Sequence, residues 1–330
     1  MPEPLNPPPF TPPAWLANPH AQTLWPALVR RPPRVRQAAE RLALPDGDVL
    51  NLVWGPDPAG GPLVLILHGL AGSARSTYVL ALKAALAQAG MGSVVMEARG
   101  AGGRPNRLPR FFHAGETGDL QQAVDYIRRR HPDRPLALVG FSMGGIVALN
   151  WLGRTGAEAG VATAVVVSAP LRLAECARRL DQGFARLYQW AMVRDLKAML
   201  RRKRAAGCAP PQIEAALRVR SLWAFDDRLT APLHGFAGAA DYYRRCAPEQ
   251  RLDGIRVPTL MINAADDPFC PAATLPPPGA LSPWVRLALS PGGGHLGFVH
   301  GRPWRPRYWL EPTLVERLRA GFSRPRAGAG

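Results

Sequence analysis

The sequence has few features that would place the chain in a membrane. Its longest apolar stretches, around 63–67 and 161–167, are much shorter than the roughly 20 residues that a helix needs to cross a bilayer. The N-terminal residues lack the basic start and the continuous apolar stretch of a secretory signal peptide. We therefore expect a cytoplasmic protein without a spanning helix.

Cysteine is scarce, with four residues in a chain of 330, and no two of them form a Cys-x-x-Cys pair. This spacing argues against a structural zinc site and provides no disulfide framework. We expect four reduced thiols, at Cys176, Cys208, Cys246 and Cys270.

Acidic residues are in the minority, because 24 Asp and Glu accompany 41 Lys and Arg and leave a formal net charge of +17. Clustered basic residues can neutralise phosphates. Here most are Arg scattered along the chain, without a recognisable nucleic-acid-binding module. We expect no nucleic-acid partner. Peripheral contact with an anionic membrane stays open, most clearly at the basic stretch 197–204, for which a solvated helix face is the alternative.

The N-terminal part of the chain differs in composition from the rest. Residues 1–34 are rich in Pro and Arg, which predicts a segment that packs on the core without adding a strand to its sheet. Two strand-like segments follow, 41–44 and 49–54, separated by Pro45-Asp-Gly-Asp48. Because Asp-Gly is a strong turn signal, these segments predict a β-hairpin.

From residue 63 onward, short apolar runs alternate with longer helical patterns, as buried parallel strands alternate with their connecting helices. The pattern predicts an α/β fold with a mostly parallel central sheet and helices on both faces. We assign residues 35–170 and 256–322 to this core and 323–330 to a disordered tail. The predicted strands are 63–67, 93–96, 136–139, 161–167, 259–263 and 285–289, with helices that begin near Tyr78, Thr117, Gly144 and Pro312.

One segment, 171–255, interrupts the alternation. It contains helical, basic and aromatic sequence and no convincing strand. We predict an inserted helical cap. Such a cap would overhang the carboxyl ends of the strands, where ligands bind in open α/β sheets.

The strongest local motif is Gly140-Phe-Ser-Met-Gly144, which matches Gly-x-Ser-x-Gly between a predicted strand and a predicted helix. Small residues on both sides allow a sharp turn that lifts the serine hydroxyl clear of the sheet, at the positive end of a helix. An ordinary Gly-rich turn is the alternative. The strand and helix context favours Ser142 as a nucleophile.

A serine nucleophile needs a base, and the base needs a carboxylate that fixes its tautomer. After a Gly-x-Ser-x-Gly motif the chain order is Ser, then Asp or Glu, then His. Only His295 and His300 lie beyond the last predicted strand, and His295 is favoured because it follows the Gly-rich loop 290–294.

The acid is sought after the predicted strand 259–263, where Asp266 and Asp267 occur together. Asp267 is favoured because Pro268 follows it and makes the chain turn there. Asp266 remains the alternative, since strand ends are poorly placed from sequence.

Two backbone amides are expected to stabilise the oxyanion of a tetrahedral intermediate. One belongs to Met143, directly after the nucleophile, and the other to Leu70 in His68-Gly-Leu-Ala-Gly-Ser73. His68 lies outside the triad order, so we expect its imidazole to brace this loop.

Five more segments carry a family resemblance: Asn18-Pro-His-Ala-Gln-Thr23, Arg99-Gly-Ala-Gly-Gly-Arg-Pro-Asn106, Phe112-His-Ala-Gly-Glu-Thr-Gly-Asp119, Asn263-Ala-Ala-Asp-Asp-Pro-Phe269 and Gly292-Gly-Gly-His-Leu-Gly-Phe298. Together with the predicted triad, they make the chain resemble the YheT-like branch of the α/β-hydrolases, which includes mammalian ABHD1-, ABHD2- and ABHD3-type proteins. The resemblance implies carboxylic-ester hydrolysis, with family members acting on lipid, phospholipid or short-chain acyl esters. The roles of Asn106, His113 and Glu116 stay open, with a hydrogen-bonded loop as the physical expectation.

We therefore predict a carboxylic ester hydrolase that cleaves short- to medium-chain acyl or lipid-like esters through an acyl-enzyme on Ser142. The partner is a small-molecule acyl ester, and no metal or organic cofactor is expected because the triad supplies every proton transfer. An acyltransferase that uses the same triad is the first alternative. A non-catalytic protein that binds membrane surfaces or nucleic acid is the second.

Overall fold

The computed structural model describes residues 7–58 and 60–323. Its centre is a sheet of eight strands: β1 (Ala38–Ala43), β2 (Val49–Trp54), β3 (Leu63–Leu67), β4 (Gly92–Glu97), β5 (Leu136–Phe141), β6 (Thr163–Val167), β7 (Thr259–Ala264) and β8 (Val285–Ser290). The spatial order is β1-β2-β4-β3-β5-β6-β7-β8. The pairs β1–β2 and β2–β4 are antiparallel and the other neighbours are parallel. The predicted hairpin and the mostly parallel sheet are confirmed.

The central strands form because their apolar runs can be buried on both faces. Every residue of β3, β5 and β6 is buried. The register pairs Phe141 of β5 with Val167 of β6, and Val167 with Ile262 of β7. The carboxyl ends of three neighbouring strands therefore lie side by side, and the loops that follow them meet.

The helices, in chain order, are α1 (Pro19–Leu28), α2 (Thr77–Gln88), α3 (Gly118–Arg130), α4 (Met143–Thr155), α5 (Leu173–Leu180), α6 (Ala185–Ala205), α7 (Ile213–Arg218), α8 (Leu222–Phe225), α9 (Ala231–Leu233), α10 (Ala239–Cys246) and α11 (Leu310–Phe322). Apolar side chains of α3 and α4 pack on one face of the sheet. Those of α2 and α11 pack on the other face. Helices on both faces of the sheet are thus confirmed.

Between β6 and β7 the chain forms six α-helices, α5 to α10, with a π-helix at Asp226–Thr230. We call 171–255 the inserted segment. Leu196 and Leu200 of α6 pack with Phe111 of the core. Tyr242 of α10 packs with Ile146 of α4. These contacts hold the inserted segment against α4 and the loop that precedes α3.

The sequence reading missed two elements. Helix α1 begins at Pro19, and the side chain of Asn18 accepts hydrogen bonds from the first helical amides, which is a typical N-cap. The second is a hairpin of β9 (Val299–Arg302) and β10 (Arg305–Tyr308). Within the described parts of the chain, no helix has the length and apolar character needed to cross a membrane. Of the predicted tail, all but Ser323 lies outside the described residues.

Candidate active site

Ser142 lies in the sharp turn between β5 and α4, with a φ of 49°. This left-handed conformation is unfavourable for any residue other than glycine, and where such residues adopt it they are often part of a functional site. The turn is too tight for side chains at its flanks, because a Cβ at Gly140 would lie 2.7 Å from the carbonyl oxygen of Gly144. The Gly-x-Ser-x-Gly spacing therefore follows from the space that is available.

His295 lies in the loop after β8, which turns sharply through residues with positive φ. Gly293 and Gly294 have positive φ values of 141° and 59°. The Oδ1 atom of Asp266 accepts a hydrogen bond of 2.9 Å from the amide of Gly294. Asp266 thus holds the loop and does not contact the imidazole. Burial raises the pKa of Asp266, while the hydrogen bonds from Gly294 and Gly293 act in the opposite direction.

Three side chains form a hydrogen-bonded relay at the carboxyl edge of the sheet. The Oγ atom of Ser142 lies 3.0 Å from Nε2 of His295, and Nδ1 of His295 lies 2.8 Å from Oδ2 of Asp267. Oδ1 of Asp267 accepts from the amides of Phe269 and Cys270, at 2.8 and 3.2 Å. The structure therefore brings Ser142, His295 and Asp267 together in the order that proton transfer requires.

His300, the other histidine after β8, lies on β9 and packs edge-on against Phe10, with the ring centroids 6.4 Å apart. It takes no part in the relay. Of the two histidines after β8, the structure thus places only His295 beside Ser142 and Asp267.

The two amides predicted for oxyanion stabilisation flank the same cavity as Ser142, since Leu70 and Met143 both line it. Met143 is the first residue of α4, so its amide has no intrahelical acceptor. Across the described residues, the amide of Leu70 donates to no acceptor either. Both N–H groups are available to a negatively charged oxygen beside Ser142.

His68 braces the loop that carries Leu70, as the sequence predicted. Its Nδ1 donates to the carbonyl oxygen of Gly69 at 2.8 Å, and its Nε2 accepts from the amide of Ala98 at 3.2 Å. Complete burial lowers the pKa of His68, so the imidazole stays neutral and keeps both roles. The hydroxyl of Tyr78 adds a third support, because it accepts from the amide of Gly69 at 2.8 Å.

Helix α1 supports the histidine loop from the other side. The hydroxyl oxygen of Thr23 accepts from the amide of His295 at 2.9 Å. The buried side chain of Gln22 donates to the carbonyl oxygen of Val299 and accepts from its amide, both at 2.9 Å. Sequence reasoning assigned no role to these two residues. Their position within the segment 18–23, which carried the family resemblance, was the available signal.

Ser142 opens into a cavity of about 90 Å³ between the core and the inserted segment. Its walls are largely apolar and aromatic, and they come from both parts of the chain. Core residues on the wall include Phe112 and Ile146, and inserted residues include Leu173, Leu196 and Phe225. A mostly apolar cavity with few polar groups is typical of a small-molecule site.

Asp226 is a charged residue in this wall that the sequence analysis did not single out. Its carboxylate accepts from the hydroxyl of Thr230 at 2.7 Å and from the hydroxyl of Tyr243 at 2.6 Å. Burial raises the pKa of Asp226 to about 6. No motif marks it in the sequence, because its surroundings depend on the packing of α10 against the π-helix.

The three residues whose roles the sequence left open lie beneath the site. Asn106 belongs to a buried polar cluster and bonds Asp48 and Lys203, at 2.6 and 2.7 Å. His113 and Glu116 line a second cavity of about 30 Å³ behind the loop of His68. Burial lowers the pKa of His113, and the charge of the neighbouring His234 lowers it further. Nδ1 of His113 accepts from the amide of Gly115, and Glu116 accepts from Arg110, so all three residues take part in hydrogen bonds that support the site.

Among the residues that the structure describes, one group could bind a metal ion, namely Asp267, Cys270 and His295, whose donor atoms lie within 4.8 Å of one another. Two of these residues are members of the relay. A metal ion would therefore compete with Ser142 for Nε2 or with Asp267 for Nδ1. The expectation of a metal-free enzyme stays a prediction.

Comparison with known proteins identifies the family. A family profile described as alpha/beta hydrolase fold matches residues 62–301. YheT of Escherichia coli strain K12, whose name provisionally assigns it to the esterases, is 40% identical over 314 residues, which cover 94% of this chain and 92% of YheT. Phospholipase ABHD3 of Mus musculus is 28% identical over 302 residues, 88% of this chain and 74% of the phospholipase.

The fold has close structural counterparts as well. The esterase Pf2001 of Pyrococcus furiosus superimposes with a TM-score of 0.57 at 16% identity, over 88% of this chain and 99% of the esterase. This likeness shows the fold alone. The profile and the identity to YheT go further: the chain belongs to the α/β-hydrolases, in their YheT-like branch.

Proposed function

We propose that this protein is a serine hydrolase that cleaves carboxylic esters, with Ser142 as nucleophile, His295 as general base and Asp267 as the acid that orients the imidazole. The observation that carries the proposal is the continuous relay, 3.0 Å from Ser142 to His295 and 2.8 Å from His295 to Asp267. The relay ends at an apolar cavity, where an acyl group can be bound.

In the first step, Oγ of Ser142 attacks the carbonyl carbon of the ester while Nε2 of His295 takes the hydroxyl proton. Asp267 accepts the Nδ1–H bond and stabilises the imidazolium that results. The tetrahedral intermediate then breaks its bond to the alcohol oxygen, which receives the proton from Nε2. The acyl group remains on Ser142.

In the second step, water attacks the acyl-enzyme, and His295 again takes the proton. The acid leaves when the proton returns to Oγ of Ser142. The amides of Leu70 and Met143 stabilise the oxyanion in both steps, and each such donor contributes roughly 3 kcal/mol. These amides are held in place before the reaction, so no reorganisation is needed when the charge develops.

The substrate class follows from the cavity. Its wall is apolar apart from a few groups such as Asp226, which favours short- to medium-chain acyl esters or lipid-like esters. ABHD3 is named a phospholipase, and a lipid substrate agrees with the lipid-like end of this range. We propose that the inserted segment acts as the cap of this cavity, because its helices supply more than half of the lining residues. The cytoplasmic location stays a prediction.

The test is hydrolysis of p-nitrophenyl esters from acetate to palmitate. We expect Ser142→Ala and His295→Ala to lose at least about 10⁴-fold in kcat. Ser282→Ala and His300→Ala are the matched controls, since both residues lie outside the relay, and they should keep most of the activity. Unchanged hydrolysis by Ser142→Ala would overturn the mechanism.

The same assay separates hydrolysis from acyl transfer. Added butanol intercepts an acyl-enzyme whenever the alcohol reaches it better than water does. We expect free acid as the main product. A butyl ester as the main product, formed only when Ser142 is present, would reassign the protein to the acyltransferases.

A further inference from the structure

Helix α6 has one face toward the cavity and one toward solvent. Its buried side includes Leu196, which lines the cavity. On its outer side, the residues at positions 184, 187, 190, 194, 197 and 201 recur every three or four positions. Such spacing places them on one stripe of a helix. We call this set the outer stripe; its members are Phe184, Leu187, Trp190, Arg194, Lys197 and Arg201.

The first half of the outer stripe is apolar and exposed. Phe184, Leu187 and Trp190 have 46%, 57% and 62% of their surface exposed. Single exposed apolar side chains are common on protein surfaces, but three on successive turns of a helix form a contiguous patch. Three large apolar side chains that lie next to one another in contact with water indicate a surface that is covered by a partner.

The second half of the outer stripe is basic. Arg194 is exposed and lies over the ring of Trp190, 5.1 Å from its centre. Within the described part of the chain, neither Lys197 nor Arg201 forms a salt bridge. Arg194 itself pairs with Asp195 at 2.9 Å. Burial lowers the pKa of Lys197, and the charges of Arg201 and Arg220 lower it further, so Lys197 and Arg201 are the cations of the stripe that lack a paired carboxylate among the described residues.

The outer stripe is also linked to the relay through aromatic rings. Phe184 contacts Tyr188, with the centroids 5.7 Å apart, and Tyr188 contacts Phe269 at 4.8 Å. Phe269 stacks on the imidazole of His295 at 4.1 Å. A partner bound to the stripe would therefore lie on the side of the inserted segment that adjoins the site.

We propose that the outer stripe docks the protein on an anionic phospholipid bilayer, with Phe184, Leu187 and Trp190 among the upper acyl chains and the basic half on the headgroup phosphates. An interfacial helix combines such apolar groups, particularly Trp and Phe, with Lys and Arg. Charge complementarity decides the occupant, because uncompensated cations next to an apolar patch match an anionic surface with an apolar layer below it. Docking in this way requires no catalysis.

The test is flotation of the full chain with vesicles of phosphatidylcholine mixed with phosphatidylglycerol, and with vesicles of phosphatidylcholine alone. We expect binding to the mixed vesicles that is at least about tenfold tighter than to phosphatidylcholine alone. The double variants Leu187→Ser/Trp190→Ser and Lys197→Glu/Arg201→Glu should each lose about tenfold in affinity for the mixed vesicles.

Two controls carry matched changes elsewhere. Trp284→Ser removes a partly exposed Trp at the amino end of β8, on the edge of the sheet opposite to the inserted segment. Arg129→Glu/Arg319→Glu reverses two exposed charges on α3 and α11. Both controls should bind like the wild type, and circular dichroism should show that all variants are folded, because every substituted side chain is at least partly exposed.

Equal binding by the stripe variants and the controls would overturn the proposal, as would failure of the wild type to bind the mixed vesicles. Light scattering without vesicles tests the competing occupant. A dimer that becomes a monomer in the stripe variants would make the stripe an interface between two copies and would also overturn it. Ser142→Ala should bind vesicles like the wild type, so the docking surface and the proposed chemistry can fail independently.

Discussion

Two networks of largely buried polar side chains lie at the same edge of the sheet, and they differ in how they end. The relay runs from Asp267 through His295 to a hydroxyl that faces the cavity. The second network, which we call the Arg99 cluster, has no such end. Its members are Arg99, Asp46, Asp48, Asn106, Asp119 and Lys203.

In the Arg99 cluster every strong donor is paired with an acceptor. The guanidinium binds Asp119 through two nitrogens, at 2.8 and 2.6 Å, and its third nitrogen contacts Asp46 and Asp48 at 2.6 and 2.9 Å. A saturated network of this kind can fix a loop but has no group left for a ligand. Access to a cavity, more than burial or charge, therefore separates a reactive network from a supporting one.

Asp267→Asn interrupts the relay at its acid, and among these variants it should cause the greatest loss of kcat. Asp267→Asn keeps the shape of the side chain, but its amide nitrogen cannot accept the Nδ1–H bond, which favours the wrong tautomer of His295. We expect a loss of about 10⁴-fold in kcat toward p-nitrophenyl esters. Asp266→Asn is the control, since Asp266 contacts only the loop, and it should lose far less. An equal loss in both variants would refute the assignment of the acid.

A substitution in the Arg99 cluster tests whether that network supports the fold, and it should lower the free energy of unfolding. Arg99→Met removes the guanidinium and leaves the buried carboxylates of Asp48 and Asp119 without their direct ion-pair partner. Removal of one partner from a buried ion pair costs about 3–5 kcal/mol. We expect the free energy of unfolding in urea to fall by that amount, whereas kcat per folded molecule should change little. If Arg99→Met kept the stability of the wild type and lost much of its kcat, the Arg99 cluster would be part of the reactive site and would not be a structural support.

The sequence predicts the relay better than the supporting network for a physical reason. Ser142 and His295 occupy tight turns whose backbone needs glycine nearby, and glycine spacing is visible in the sequence. The buried strands are visible for the same kind of reason, because burial on both faces demands continuous apolar runs. The observed strand ends differ from the predicted ends by at most three residues, with the largest difference at the start of β1, since residues at the ends of strands have weak conformational preferences.

The structural features that could not be predicted from the sequence depend on contacts between distant segments. The strands β9 and β10 are short and polar, and Trp15 holds them through a hydrogen bond of 2.8 Å to the carbonyl oxygen of Gly301. The placement of Asp226 follows from the packing of inserted helices whose order in space has no local signature. Lys203, predicted as part of a basic surface stretch, is completely buried and bonds Asn106.

Asp226 shares features of both networks, because each of its carboxylate oxygens accepts a hydrogen bond from a hydroxyl and it also lines the cavity. Since its pKa is raised to about 6, the native state holds this proton more tightly than the unfolded chain does, whose carboxyl titrates near 3.8. The charged form therefore destabilises the native state, with no cost below pH 4 and the full cost above pH 6.

Asp226→Asn removes this titration and retains a polar group for Thr230 and Tyr243. Relative to the wild type, we expect the variant to gain about 3 kcal/mol in free energy of unfolding as the pH rises from about 4 to about 7. Urea unfolding at several pH values measures the difference between the two proteins. A difference that does not change with pH would show that Asp226 titrates normally, as an exposed carboxyl does.

The smallest loss of kcat is expected for a substitution of Thr23, an uncharged residue that hydrogen-bonds the backbone of His295. The methyl in Thr23→Val replaces the oxygen that accepts the amide proton of His295, and a single such hydrogen bond contributes about 1 kcal/mol. If Thr23 positions the imidazole, kcat should fall about fivefold to tenfold while KM stays constant, because the wall of the cavity is intact. Thr23→Ser keeps the hydroxyl and should restore kcat. A purely structural role would instead lower stability in the valine variant and leave kcat per folded molecule unchanged, and the relay would then owe its geometry to the loop of Gly293 and Gly294 alone.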